Sequence, residues 1–184
     1  MSEIASPGQL RLSFLRWALI TVPLILLLGF ASGRVVPAGD ESGWYRALAK
    51  PALNPPGIVF PIAWSILYVL MGVALAIVLN ARGARARSVA VALFAAQLVL
   101  NLIWTPLFFG AHQVTWALLD LIALIVLAIA TTMAFGRVRR VAAWLMVPYL
   151  VWISFAACLT FGIRQLNPDA ENLAPTSAST QIQL

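Results

Sequence analysis

Apolar residues in this chain do not alternate with polar ones; they run on unbroken. Five stretches stand out: Leu12–Ser32, Ile58–Asn80, Ser88–Gly110, Val114–Phe135 and Val141–Ile163. Each reaches about 20 residues, the length a helix needs to cross hydrocarbon. Pro51 to Ala81 holds no charged side chain, and neither does Ser88 to Leu119. As one helix, Ser88 to Phe135 would extend roughly 70 Å at about 1.5 Å per residue, too far for one crossing. The break falls at Phe109-Gly110-Ala111-His112-Gln113. The pattern predicts an all-α, integral membrane five-helix bundle, one domain over residues 1–167. The polar segment 168–184 is expected to be a disordered tail.

Composition agrees: 62% of the 184 residues are hydrophobic and 10% are charged, far from a soluble surface. The net charge of +6 is sorted by membrane side and is no nucleic-acid signal. Five crossings put Arg11, Arg16, Arg82, Arg85, Arg87, Arg137, Arg139 and Arg140 on one face. The other face has Arg34, Arg46, Lys50 and Arg164, accompanied by Asp40, Glu41, Asp169 and Glu171. The positive-inside rule then expects a cytoplasmic N-terminus and an outside C-terminus, in a cell (inner) membrane, with an outer membrane as the alternative. Arg11 and Arg16 before an apolar run also resemble a secretory signal cut near Ala31 or Gly33, which would leave four spans. The run is at the long limit for a signal, which favours five. Cys158 is the single cysteine; with no disulfide to make, it is expected to be a small buried residue of the last span.

Most connections are short. The exception is 33–57, where Trp44-Tyr45, Lys50-Pro51 and Asn54-Pro55-Pro56 make a stiff, semi-apolar segment. Prolines lower the entropy cost of ordering such a loop. It is expected to be a lid over one end of the bundle, the alternative being a segment lying on lipid headgroups. Helical spacing aligns Pro61, Trp64 or Ser65, Tyr68 and Gly72 in the second span. It aligns Gln97, Asn101, Trp104 and Phe108 in the third. The fifth aligns Trp144, Pro148, Trp152 and Ala156, with Tyr149 on the flank. Amides in hydrocarbon need partners, so Gln97 and Asn101 face inward. Gln97 suits a helix–helix hydrogen bond or a pocket equally, and Asn101, sharing a face with Trp104, favours a pocket. Tryptophans at span ends read as interfacial anchors; those well inside read as walls for a flat, greasy ligand.

Asp120, the one acid within a span, is a candidate by type, although its place near the headgroups suits structural pairing or hydration as well. His112 is expected to be a solvated loop side chain, with haem ligation the alternative. Gly72-x-x-x-Ala76 and Ala92-x-x-x-Ala96 permit close helix packing in the bundle or a dimer. The chain has no H-E-x-x-H, no intramembrane aspartate pair, no serine–histidine pairing at plausible depth and no glycine-rich phosphate loop. No catalytic residue, metal site or resident cofactor is expected.

These residues together resemble the tryptophan-rich sensory protein family, also called the translocator protein or peripheral benzodiazepine receptor family. The likeness covers roughly Gly43 to Asn167. It runs through Trp44-Tyr45-x-x-Leu48-x-Lys50-Pro51-x-x-Asn54-Pro55-Pro56 and Phe60-Pro61-x-Ala63-Trp64-x-x-x-Tyr68. It continues with Gln97-Leu98-x-x-Asn101-x-x-Trp104-x-Pro106-x-Phe108-Phe109-Gly110 and Trp116-Ala117-Leu118-x-Asp120. It closes with Pro148-Tyr149-x-x-Trp152-x-x-Phe155-Ala156. The resemblance implies a five-helix bundle, commonly a homodimer, that binds porphyrins such as protoporphyrin IX or haem, and in some members sterols. It implies that Trp64 and Trp152 flank the ligand, that Asn101, Tyr149 and Ala156 line it, and that Trp44, Lys50 and Pro51 belong to the lid. Tyr68, Trp104 and Pro148, on the same helical faces, are expected to join the ligand contacts, and Asn54 the lid. Two departures stand out: Leu53 where the family usually has tryptophan, and Cys158 to Arg164 without the tyrosine of the sterol stretch, so a sterol is not expected.

The first functional expectation is a membrane receptor or carrier for tetrapyrroles, with Lys50 pairing a propionate. The alternatives are a light- and oxygen-dependent porphyrin-degrading protein, with Trp64 and Trp152 as redox partners, and a structural or partner-binding membrane protein.

Overall fold

The computed structural model describes residues 7–172, and within them five helices are long and apolar enough to cross a membrane. They are α1 (Pro7–Arg34), α3 (Val59–Asn80), α4 (Arg87–Thr105), α5 (Val114–Val138) and α6 (Arg140–Leu166). A short α2 (Gly43–Ala47) interrupts the first loop. Around the bundle, α1 packs on α3 and α4, α3 on α6, α6 on α5, and α5 on α4. The all-α, five-helix architecture expected from the apolar runs is the one observed.

Pro106 ends α4, since it has no N–H to continue the ladder. The chain then widens into a π-helical turn, Pro106–Gly110, in which the Ala111 amide donates to the Pro106 carbonyl at 2.9 Å. The third run, expected to stay helical to Gly110, thus changes its winding at Pro106, and Phe108 is turned into the core. His112 follows with φ 57.

The α1–α3 contact depends on Gly72. A Cβ there would lie 2.7 Å from the Val22 Cα, so any larger residue pushes the helices apart. The Thr21 hydroxyl donates to the Gly72 carbonyl (2.8 Å) and to the Trp17 carbonyl one turn back (2.9 Å). Gly72-x-x-x-Ala76 is therefore spent inside the bundle, with Ala76 fully buried, whereas Ala92 and Ala96 of α4 face outward. Trp116 and Trp144, at the starts of α5 and α6, are strongly exposed, as anchors at opposite interfaces require. Cys158, expected to be buried, is exposed on the outer face of α6.

Past α6 the chain stays ordered for a few residues: 168–169 turn and Ala170–Asn172 form a 3₁₀ helix, where a disordered tail was expected. The rest of that tail, 173–184, and residues 1–6 lie outside the described part.

Replacing Gly72 by leucine is expected to destabilise the bundle by about 1–3 kcal/mol through overpacking against Val22. The check is a lowered thermal midpoint in detergent, with Gly72→Ala intermediate.

Candidate functional site

A cavity of about 560 Å³ opens between the helices at the end opposite the arginine-rich loops. That volume is in the range of small-molecule sites. Its walls come from every spanning helix and from the first loop. Trp64 and Tyr68 project from α3, Asn101 and Trp104 from α4, and Trp152 and Ala156 from α6, while Asn54 closes in from the loop. Sequence reasoning missed several wall residues: Phe30 and Arg34 of α1, Tyr45 of α2, and Leu121 and Leu124 of α5. The α1 residues carried no signal, because nothing in the apolar run marks which side turns inward.

The aromatic wall is made of two sets of touching rings. Trp64 stacks on Tyr68 with ring centroids 5.1 Å apart and stands edge-on to Trp152 at 6.4 Å. Phe60 meets Trp152 edge-on at 5.9 Å. Trp104 stacks on Phe108 at 4.9 Å, which fixes its ring against the π-helical turn. Such pairs add about 0.5–1.5 kcal/mol each beyond the area they bury, so the wall is held in place without a ligand.

Behind it runs a chain of buried hydrogen bonds. The Tyr68 hydroxyl donates to Asn101 Oδ1 at 3.1 Å, and Asn101 Nδ2 donates to the Tyr149 hydroxyl at 3.4 Å. Tyr149 in turn donates to Gln97 Oε1 at 2.7 Å. Gln97 and Tyr149 are fully buried. The chain ties α3, α4 and α6 together, and Gln97 belongs to helix–helix bonding rather than to the cavity wall. Tyr149, expected to touch ligand, sits one layer back and orients Asn101. Pro148 is exposed and turns away. The buried face of α6 runs through Ala142, Met146, Tyr149, Ile153, Thr160 and Ile163, which rotates Trp144 and Pro148 toward lipid.

The lid residues divide similarly. Asn54 reaches the cavity and accepts a hydrogen bond from the Tyr45 hydroxyl at 3.2 Å. Trp44, Lys50 and Pro51 do not line it. Trp44 is buried in a second core with Tyr45, Leu48, Phe108, Val114 and Ile163. Its indole N–H donates to the Ala170 carbonyl at 2.9 Å. His112 stacks on the Trp44 ring at 4.4 Å, so it is a packed residue where a solvated one was expected. The Lys50 ammonium donates to the Leu48 carbonyl (3.2 Å) and lies over the Tyr45 ring at 4.6 Å. Pro51 packs toward Gly162 of α6. These three build the cap without touching the space beneath it.

The cap is fastened by the end of α6. Asn167 makes a two-point amide pair with Ala49: the Ala49 N–H donates to Oδ1 (2.9 Å), and Nδ2 donates to the Ala49 carbonyl (2.8 Å). Glu171 accepts from the Thr115 amide at 2.7 Å, and Arg164 donates to the Thr115 hydroxyl at 3.1 Å.

Fold and site together define a class: a five-helix integral membrane protein with an aromatic-walled cavity under a clasped loop. The sequence matches the TspO/MBR family over residues 20–166. It is 43% identical over 150 residues to the tryptophan-rich protein TspO of Chlorobaculum tepidum, covering 81% of this chain and 94% of that one. The tryptophan-rich sensory protein of Cereibacter sphaeroides is 38% identical over 151 residues, 82% of this chain and 92% of its own. The translocator protein of Homo sapiens is 38% identical over 142 residues, 76% and 84% of the two chains. This chain belongs to the TspO/MBR family.

Two variants check the site's construction. Tyr149→Phe leaves the buried Gln97 oxygen without its donor, and a cost of about 1–3 kcal/mol in stability is expected from detergent unfolding. Asn167→Ala removes the clasp; at about 1 kcal/mol per bond, hydrogen exchange at the Ala49 amide should rise about fivefold or more.

Proposed function

We propose that this protein is a membrane receptor and carrier for tetrapyrroles, porphyrins foremost, and for related flat apolar ligands. The observation that carries the reading is the rigid aromatic wall of Trp64, Tyr68, Trp104 and Trp152 around a cavity of about 560 Å³. Flat rings bury and stack on such a wall, while Asn54 and Asn101 supply polar contacts. Lys50 is occupied within the cap, so Arg34 at the rim is the cation placed to meet a propionate. The names of the relatives, translocator and sensory protein, support movement or sensing of what is bound. The arginine-rich loops support, by the positive-inside rule, a cytoplasmic N-terminus and a cavity on the outer side of the cell membrane. A homodimer through α4 is supported by the outward Ala92 and Ala96.

A second reading, breakdown of bound porphyrin under light and oxygen, draws on the close contact of Trp64 with both Tyr68 and Trp152.

Titration of the detergent-purified protein with protoporphyrin IX in the dark, read by tryptophan quenching, is expected to saturate. Trp64→Phe and Trp152→Phe should each weaken binding about three- to tenfold, the value of one aromatic contact. Quenching that does not saturate and ignores both substitutions would exclude the tetrapyrrole reading. Bleaching of bound porphyrin on illumination of the wild type, slowed in both variants, would favour the second.

A further inference from the structure

The rim of the cavity is not sealed evenly. Along the α1–α4 seam, the Ser32 hydroxyl donates to the Leu102 carbonyl, and Val36 packs into the space left by Gly110. The contacts joining α1 to α3 lie lower. Val22 rests on Gly72, Thr21 bonds the Gly72 carbonyl, and the Tyr68 ring lies on Gly29. One turn beyond Gly29, a Cβ on Gly33 would meet no atom within 4 Å. Above Tyr68, then, Gly33 of α1 faces open space and not a side chain of α3.

The residues lining this gap are not buried. Phe30, Gly33, Ile58 and Pro61 wall the cavity and are themselves exposed. The stretch from Ile58, at the cap of α3, to Tyr68 measures about 15 Å at about 1.5 Å per residue, half of a hydrocarbon core about 30 Å thick. Around it the outward side chains are apolar: Leu27 on α1, Ile62 and Ile66 on α3. The gap therefore looks onto acyl chains. Charge appears only at its top, where Arg34, Asp40 and Glu41 border the cavity at headgroup level.

We propose that this slit between the ends of α1 and α3 is a lateral portal, through which ligand passes between cavity and bilayer without crossing water. The proposal rests on the ligand-binding reading above and narrows it to amphiphiles already dissolved in the membrane. Their flat apolar body slides between Phe30 and Pro61, and their polar edge stays with Arg34, Asp40 and Glu41.

The test uses the full chain in lipid vesicles, with protoporphyrin IX as probe and stopped-flow tryptophan quenching in the dark. Gly33→Trp fills open space in the slit and is expected to slow association and dissociation together, each about tenfold, as an obstructed path does. Ile58→Trp, on the opposite lip, should do the same, which separates a blocked portal from a distorted helix. In the wild type, diluting the vesicles at constant porphyrin-to-lipid ratio should leave the association rate unchanged. Wild-type rates in both variants, or a rate that follows the aqueous porphyrin concentration, would overturn the proposal. So would faster association in Asn167→Ala, which would put the route through the cap. Absence of saturable binding in the wild type would instead remove the ligand-binding reading itself.

Discussion

A polar side chain in hydrocarbon has no water to turn to, and this constraint organises the molecule. Tyr68, Asn101, Tyr149 and the Gln97 oxygen bond one another in a single line from α3 through α4 to α6, with only Gln97 Nε2 left unpartnered at its end. Each of these helices could rotate about its own axis at little cost in apolar contact, because lipid is as greasy as a neighbouring helix. The hydrogen-bond line removes that freedom. Once Asn101 is fixed toward Tyr68 and Tyr149, the phase of α4 follows, and with it the inward position of Trp104 and Phe108. Trp64 gains its orientation from the same line, being stacked on Tyr68. The aromatic wall is thus a consequence of polar satisfaction as much as of aromatic packing.

The bundle was legible in the sequence because runs of apolar residues encode span number directly. Helix phase was less so. In a soluble protein the polar side of a helix marks the exterior; in lipid both sides are apolar, and only Gln97, Asn101 and the glycines carried directional information. Where such markers exist, as on α3 and α4, Trp64, Tyr68, Asn101 and Trp104 were assigned to the inside, where they are found. On α6 the marker was Trp152, and extending its row to Pro148 and Trp144 misplaced both by part of a turn. Within the apolar run of α1 no polar side chain faces the cavity, so Phe30 stayed invisible, and Arg34, at the very end of the helix, read as a loop charge. Cys158 fell to the same ambiguity, since a small residue is compatible with either face.

The loop shows a different limit. Its composition announced order and a lid, yet could not divide residues that cover the cavity from residues that hold the cover. Trp44 and Lys50 are of the second kind, engaged by Ala170, His112, Leu48 and Tyr45. The partners of Trp44 lie far along the chain, and Lys50 turns back onto a carbonyl and a ring of its own loop, choices that one-dimensional spacing does not mark. The Leu53 that replaces the family's usual tryptophan is exposed, outside both the cap core and the cavity wall.

The clasp at Asn167 also orders events in time. Its partner Ala49 precedes it by 118 residues, so the first loop is made on the order of ten seconds before the amide that fastens it, at about 5–20 residues per second. Through that interval the loop and the half-built bundle have no closed cavity to offer. The capped cavity is therefore among the last features of the described fold to form. A ribosome that stops short of the end of α6 releases a chain with most of its membrane spans and an unfastened site.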